Sequence, residues 1–248
     1  MDVIGDALEL DVRPFPFQFP VHGELVEDRI RLIKAAERTL TAKGLIDGAR
    51  FVDDVPDLLG VFARGRLAIA MLGSVDGESF YARAVTDDRM AVLATQHGQS
   101  VQFDPVTPTS MVRAILSLLP PARPGLGRSV TITTDPPTTA RPATDEDLGG
   151  KHYLQAVRPP QDSAGTQPAM IQEIMRRPRQ GSGYFSVTVR GRNARESTPL
   201  TMNWLDTDSG RYVVIPTAAA DGRLHVTYTP ADQVRLEQSL SRLVHTLT

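Results

Sequence analysis

Three groups of adjacent acidic residues are the first candidates for chemistry: Asp53-Asp54, Asp87-Asp88 and Asp145-Glu146-Asp147. Two carboxylates on either side of a glycosidic bond can act as general acid and as base or nucleophile. Asp87-Asp88, however, aligns with Asp208-Ser209-Gly210 in a second stretch of similar sequence, and such residues are typical of turns. We therefore predict a turn at Asp87-Asp88. If the acidic residues do act in catalysis, the chain would be a hydrolase that uses a dispersed carboxylate pair, and we keep this as an alternative function.

Other catalytic and ligand-binding patterns are absent from the sequence. Cysteine does not occur, which excludes thiolate nucleophiles and thiolate metal sites. The histidines are widely separated and form neither an i, i+4 pair nor an HExxH pattern. They are His22, His97, His152, His225 and His245. Gly125-Leu126-Gly127 begins like a dinucleotide fingerprint, but position 130 is Val and a proline-rich loop precedes it. We expect no catalytic residue, no metal and no cofactor.

A run of arginines is the clearest charge feature. Between positions 176 and 195 there are six arginines and no acid before Glu196: Arg176, Arg177, Arg179, Arg190, Arg192 and Arg195. Guanidinium groups could bind an acidic or phosphate-bearing partner in bidentate geometry. The alternative is a solvated hairpin and helix end. Because the whole chain carries a formal charge of −2, we do not expect nucleic acid as the partner.

Composition indicates a folded protein of ordinary globular type. The 248 residues are 41% hydrophobic and 23% charged, and no apolar run approaches the ~18 residues of a membrane span. Acids occupy the N-terminus where a signal peptide needs basic residues. We expect no membrane insertion and a cytoplasmic location, with which the lack of cysteine agrees.

The first part of the chain contains two helices followed by four strands and a third helix. Apolar spacing and Gly44 predict a helix from Gly23 to Gly44, and Asp54 begins a second. The predicted strands are Arg66 to Leu72, Ser79 to Thr86, Arg89 to Thr95 and Gln99 to Phe103. Thr107-Pro108 resembles a helix start, with Thr107 as N-cap and an apolar stripe that reaches Leu119.

The same order of elements returns about 120 residues later. Strands are predicted at Tyr184 to Arg190, Pro199 to Leu205, Arg211 to Pro216 and Arg223 to Tyr228, and Thr229-Pro230 opens a final helix. A duplication of two quasi-symmetric halves, about 1–120 and 166–248, accounts for this order. The Pro/Thr-rich crossover 120–165 joins them, with one strand candidate at Ser129 to Thr133 and a short helix after it at Gln167 to Arg177. We predict one α+β domain over 1–248 whose halves share a central antiparallel sheet.

Several of these segments resemble the EspG proteins of mycobacterial and related actinobacterial type VII (ESX) secretion systems. The clearest are Gly181 to Val187, Asn203 to Val214 and the terminal helix, and Leu40 to Asp47 is similar to the family's first long helix and its exit. The resemblance implies two quasi-symmetric halves, a central antiparallel sheet and two helical bundles. It also implies a cytosolic, non-enzymatic chaperone that binds the PPE subunit of a PE/PPE heterodimer and keeps it soluble. Weak association into a homodimer is a further expectation.

The resemblance also suggests where the partner binds. The resemblance implies that PPE contacts the hairpin loop after the first strand of the N-terminal half, together with the sheet face and the C-terminal helices. In this sequence that loop is Gly73-Ser74-Val75-Asp76-Gly77-Glu78, whose glycines we expect to allow a tight turn and a mobile tip. The plain alternative is a hairpin turn without further function. Arg190 and Arg192 complete the set of expected partner-binding residues.

Two residues in the second half carry separate expectations. Strand alternation places Trp204, the single tryptophan, on the same face as Met202, and we expect it to be buried under the terminal helix. The stretch Tyr228 to Asp232 matches the Y-x-x-x-[DE] secretion signal of type VII substrates by spelling. Its position at a helix start instead indicates capping, so we predict no signal there.

Overall fold

The computed structural model describes residues 1–19, 26–48, 50–52, 54–134, 166–191, 193 and 195–248. Two compact units divide the chain. The first comprises Met1–Ala70, Tyr81–Ile115 and Arg190–Arg195, and the second comprises Met71–Phe80, Leu116–Val189 and Glu196–Thr248. Within the described ranges, no helix is both long and apolar enough to cross a membrane.

Among the described residues, nine strands form one sheet. They are β3 (Leu67–Val75), β4 (Glu78–Thr86), β5 (Ala91–His97), β6 (Ser100–Val106), β7 (Val130–Thr134), β8 (Arg179–Val189), β9 (Leu200–Thr207), β10 (Gly210–Ala218) and β11 (Leu224–Pro230). The strand order is β6-β5-β4-β3-β8-β9-β10-β11-β7. A separate ladder pairs β1 (Ile46–Asp47) with β2 (Arg50–Phe51). Residues 67–106 and 179–230 are therefore two four-stranded meanders, which is the repeated order that the sequence predicts.

The helices of the described chain lie before, between and after these meanders. They are α1 (Asp2–Leu8), α2 (Val26–Ala42), α3 (Asp54–Arg64), α4 (Met111–Leu116), α5 (Thr166–Arg176) and α6 (Gln233–Leu247), with a 3₁₀ turn at Pro108–Ser110. Gly44 ends the α2 region with a φ of 67°, as predicted.

The core of the first unit lies around Phe62, which is fully buried on α3. Its ring contacts Phe17, with 5.8 Å between centroids, and meets Phe103 edge to face at 5.0 Å. The proline-flanked residues Phe17 to Phe19 are not part of a strand. Instead the side chain of Gln96 on β5 accepts from the backbone N–H of Gln18 and donates to its carbonyl. The prolines on either side remove backbone donors that a ladder would need.

The core of the second unit has an apolar layer on one face of its strands. Ile171 of α5 packs with Val214, Val226 and Tyr228, and Ile174 packs with Leu205 and Tyr212. Trp204 and Met202 are fully buried on the other face, and the terminal helix α6 packs on β8 and β9. The prediction that Trp204 is buried is confirmed.

Two helix starts differ from the prediction. Thr107 makes no cap to the following amides, and its hydroxyl bonds those of Thr109 and Ser110 instead. The helix then ends at Leu116, so Leu119 is buried outside it. The final helix begins after Asp232 rather than at Thr229-Pro230, because Pro230 still pairs with β10.

The matched joints between strands use the same hydrogen bonds. The hydroxyl of Thr86 donates to the carbonyl of Met90 and accepts from the N–H of Asp88, at 2.7 and 3.0 Å. The hydroxyl of Thr207 donates to the carbonyl of Gly210 and accepts from the N–H of Ser209, at 3.0 and 3.2 Å. The alignment of these two stretches therefore reflects a common turn structure.

Candidate partner-binding site

The β3–β4 hairpin has a tighter tip than the sequence predicts. The strands extend to Val75 and Glu78, so Asp76 and Gly77 alone form the loop. Their φ angles are 51° and 85°, the pair of positive values that defines a type I′ turn. Asp and Gly tolerate this conformation, and its twist suits antiparallel strands. The N–H of Asp76 also donates to the carbonyl of Gln180 at 2.8 Å. This hydrogen bond and the short loop argue against the mobile tip that we expected.

Gly73 has a different role from the one expected. It is buried within β3 and has no positive φ. A Cβ atom at this position would lie 2.9 Å from the ring atom Cζ2 of Trp204 and 2.9 Å from the carbonyl oxygen of Ser182. Gly73 is therefore required for close packing inside the sheet, and the accessible tip consists of Ser74 to Glu78.

Two glycines of β8 complete a narrow slot for the Trp204 indole, together with Gly73. A Cβ at Gly181 would lie 3.0 Å from Cζ3 of the ring, and one at Gly183 would lie 2.9 Å from Nε1. The ring of Phe80 on β4 stacks on the indole, with 6.3 Å between centroids and 28° between planes. We call these residues the glycine slot: Gly73, Gly181, Gly183, Trp204 and Phe80. The indole Nε1 is buried without an acceptor among the described residues.

A buried ion pair lies next to the slot, and the sequence analysis missed it. The guanidinium of Arg211, whose side chain is 0% exposed, donates to both carboxylate oxygens of Asp206 at 2.7 Å. It also donates to the carbonyl of Pro120 at 2.9 Å and lies 5.7 Å from the centroid of Trp204. In the sequence, Asp206 and Arg211 lie on either side of the Asp208-Ser209-Gly210 turn, and nothing in that spacing indicates that they are buried.

Backbone bonds to Arg211 also hold the start of the crossover. The N–H of Arg211 donates to the carbonyl of Arg123, and its carbonyl accepts from the N–H of Gly125 at 2.8 Å. The hydroxyl of Tyr212 donates to the carbonyl of Leu126. Burial raises the pKa of this Tyr212 hydroxyl. The part of the crossover up to residue 134 is thus ordered and includes the predicted strand as β7, whereas 135–165 lie outside the described residues.

The hairpin tip and this bound segment line one cleft of about 390 Å³ in the second unit. Its walls are Val75, Asp76, Pro120, Pro121, Ala122, Arg123, Gln180, Asp206, Thr207, Asp208 and Gly210. Asp206 is neutralised by Arg211, and Asp208 lies 3.6 Å from Arg177, whereas Asp76 is exposed at the tip. The structure therefore brings two of the predicted site residues, Val75 and Asp76, to a cleft with both apolar and acidic walls.

Of the two arginines predicted to bind the partner, the structure describes Arg190, which belongs to the first unit. Arg190 follows β8 and its N–H donates to the carbonyl of Arg66 at 2.7 Å. Arg192 lies outside the described residues. Arg177 forms an i, i+4 ion pair with Glu173 at 3.4 Å.

Two of the carboxylates considered for catalysis, Asp87 and Asp88, have structural partners, and Asp54 is exposed at the start of α3. Asp87 accepts from the N–H groups of Arg89 and Met90, and the bond from Met90 lowers the pKa of its carboxyl. Asp88 forms an ion pair with Arg66 at 2.8 Å. The predicted turn is confirmed. Asp53 and the Asp145 group lie outside the described residues, and no cluster of metal-ligating side chains occurs within them.

The stretch that spells a secretion signal is a strand end followed by a helix cap. Tyr228 is buried in β11, and burial raises the pKa of its hydroxyl. The carboxylate of Asp232 accepts from the N–H of Arg235 at 2.8 Å. The predicted capping role belongs to Asp232, whereas Tyr228 is a core residue of β11.

Comparisons with known proteins agree with this architecture. The model of the EspG family matches residues 1–242. A similar solved structure is that of the Mycobacterium tuberculosis type VII secretion system chaperone EspG5 in complex with a PE25-PPE41 dimer. The TM-score is 0.64 at 16% sequence identity, over 100% of this chain and 95% of that one. No curated protein matches by sequence.

Proposed function

The chain belongs to the EspG family, and from this membership we propose that it is a cytosolic chaperone in type VII (ESX) secretion. It binds the PPE subunit of a PE/PPE heterodimer and keeps the heterodimer soluble, without catalysing a reaction. The single observation that carries this proposal is the family match over nearly the whole chain. The likeness in fold to EspG5, solved in complex with a PE25-PPE41 dimer, supports it.

The proposed contact surface is the accessible hairpin tip together with the adjoining cleft. Val75 is half-buried at the cleft and offers an apolar contact, whereas Asp76 and Glu78 are exposed acids. Interface energy concentrates in central, desolvated contacts, and rim charges mainly tune the association rate. Val75 therefore contributes more of the affinity than the two acids. We keep Arg190 and Arg192 as a separate, charge-based contact.

Client binding by variants of the tip tests this surface. Val75→Asp places a charge where an apolar contact is expected and lowers client affinity by at least about tenfold. The double variant Asp76→Ala, Glu78→Ala changes mainly the association rate and its dependence on salt. Thermal melts of both variants control for folding. Wild-type affinity and kinetics in both, with intact melts, would remove the tip from the site.

A further inference from the structure

The glycine slot lies directly beneath the hairpin that we propose as the client contact. Trp204 is 0% exposed, and the missing Cβ atoms of Gly73, Gly181 and Gly183 are what allow its indole to lie against β3 and β8. Any of these Cβ atoms would come within 3.0 Å of the ring or its nitrogen. Such contacts are closer than side chains normally make, so the indole and the strands fix each other's positions.

The second strand of the hairpin is held by the same ring. Phe80 lies on β4, two residues after Glu78, and its half-buried ring stacks on the indole. An offset stack between aromatic rings stabilises their arrangement beyond the area that it buries. Gly73 on β3 and Phe80 on β4 thus both contact Trp204, so one side chain sets the direction of both strands that lead to the tip.

The tip itself is tied to β8 next to the slot. The N–H of Asp76 donates to the carbonyl of Gln180, the residue before Gly181. The packing of Trp204 against Gly181 and Gly183 holds β8 in the position where this hydrogen bond forms. The indole of Trp204 is therefore linked to the backbone amide of Asp76 at the exposed turn through Gly181 and its neighbour Gln180.

We propose that Trp204 is a positioning residue for client binding, which holds the β3–β4 hairpin in its binding geometry before the client arrives. This inference rests on the proposed function, because it assigns a role to a buried residue of the same site. A rigid tip binds the client without first having to become ordered. If the slot contacts are lost, only some molecules keep the binding geometry, and the apparent affinity falls in proportion to that fraction. If a tenth of the molecules keep it, affinity falls about tenfold.

The experiment compares two slot variants with one matched control. Trp204→Leu removes the indole ring. Phe80→Leu removes only the ring that stacks on the indole. Because Phe80 is half-buried, the Phe80 variant should fold even if the Trp204 variant does not. Val214→Ala is the control, because Val214 is buried in the same unit but packs with Ile171 and Tyr228 on the other face of the sheet. Trp204→Phe is the conservative variant, which keeps an aromatic ring for the stack.

Two measurements are made on each variant. Amide hydrogen exchange without client reports opening of the Asp76 to Gln180 hydrogen bond, and surface plasmon resonance with a PE/PPE pair reports affinity. We expect Trp204→Leu and Phe80→Leu to open this hydrogen bond in about nine-tenths of the molecules, so that the Asp76 amide loses nearly all of its protection and client binding weakens about tenfold. Val214→Ala should leave both unchanged, and Trp204→Phe should stay within about threefold of wild type.

The outcomes separate this inference from the proposed function. Wild-type exchange at Asp76 in both leucine variants would overturn the positioning role whatever the client does. Near-complete loss of protection at Asp76 with unchanged client affinity would also overturn it. Absence of client binding by the wild-type chain would overturn the proposed function, and the role of Trp204 in client binding with it.

Discussion

Replacement of Asp206 by alanine leaves the guanidinium of Arg211 charged, fully buried and without its carboxylate. The two N–H groups that now donate at 2.7 Å lose their acceptors, although the carbonyl of Pro120 remains within 2.9 Å. Removal of one partner from a buried ion pair typically costs about 3–5 kcal/mol, because the remaining charge is uncompensated. We expect a loss of this size in the free energy of unfolding.

The reverse replacement and the double variant complete a thermodynamic cycle. Arg211→Met leaves the Asp206 carboxylate buried at 7% side-chain exposure and should also cost about 3–5 kcal/mol. The double variant leaves no unpaired charge, so its cost should fall below the sum of the single costs by about 2 kcal/mol or more.

Urea unfolding gives the free energy of unfolding of the wild type, the two single variants and the double variant. Emission from Trp204, the single tryptophan, follows the transition, because the guanidinium of Arg211 lies 5.7 Å from its ring. Circular dichroism gives an independent record of the same transition. Additive costs, or a cost below about 1 kcal/mol for either single variant, would refute the reasoning that this pair is buried and coupled.

Three further predictions concern turns and caps. Gly77→Ala should cost about 1 kcal/mol in thermal stability, because φ is 85° there while the surrounding space is open. Asp232→Ala should cost about 1 kcal/mol through loss of the N-cap to Arg235, and Asp232→Asn much less. The lowered pKa of Asp87 implies that its charge stabilises the fold above about pH 4 and that this contribution is lost as pH falls. Stability of the wild type relative to Asp87→Asn should therefore be higher at pH 7 than at pH 3; a gap that widens in acid would contradict the assignment.

Local chemistry accounts for the parts of the fold that could be predicted. Runs of residues typical of strands and the Asp76-Gly77 turn located β3 and β4, and the similar joints at Thr86 and Thr207 revealed the repeated strand order. Each of these signals lies within a few residues of the structure that it specifies, so no knowledge of the tertiary fold was needed.

The features that could not be predicted depend on contacts distant in sequence. Gly73 meets Trp204 only because β3 lies beside β8, and glycine in the sequence indicated a turn. Arg211 looked like an ordinary charged residue beside a turn, because its burial requires the crossover at Pro120 to cover it. The start of α6 was placed too early, since pairing with β10 keeps Pro230 in the sheet.

Co-expression of this chain with each PE/PPE pair of its host, followed by affinity purification and size-exclusion chromatography, tests the central claim most directly. We predict that at least one pair co-elutes with the chain as a single complex, and that the PPE subunit contacts the chain in cross-linking. Separate elution of the chain from every pair, while it remains folded by circular dichroism, would contradict the account.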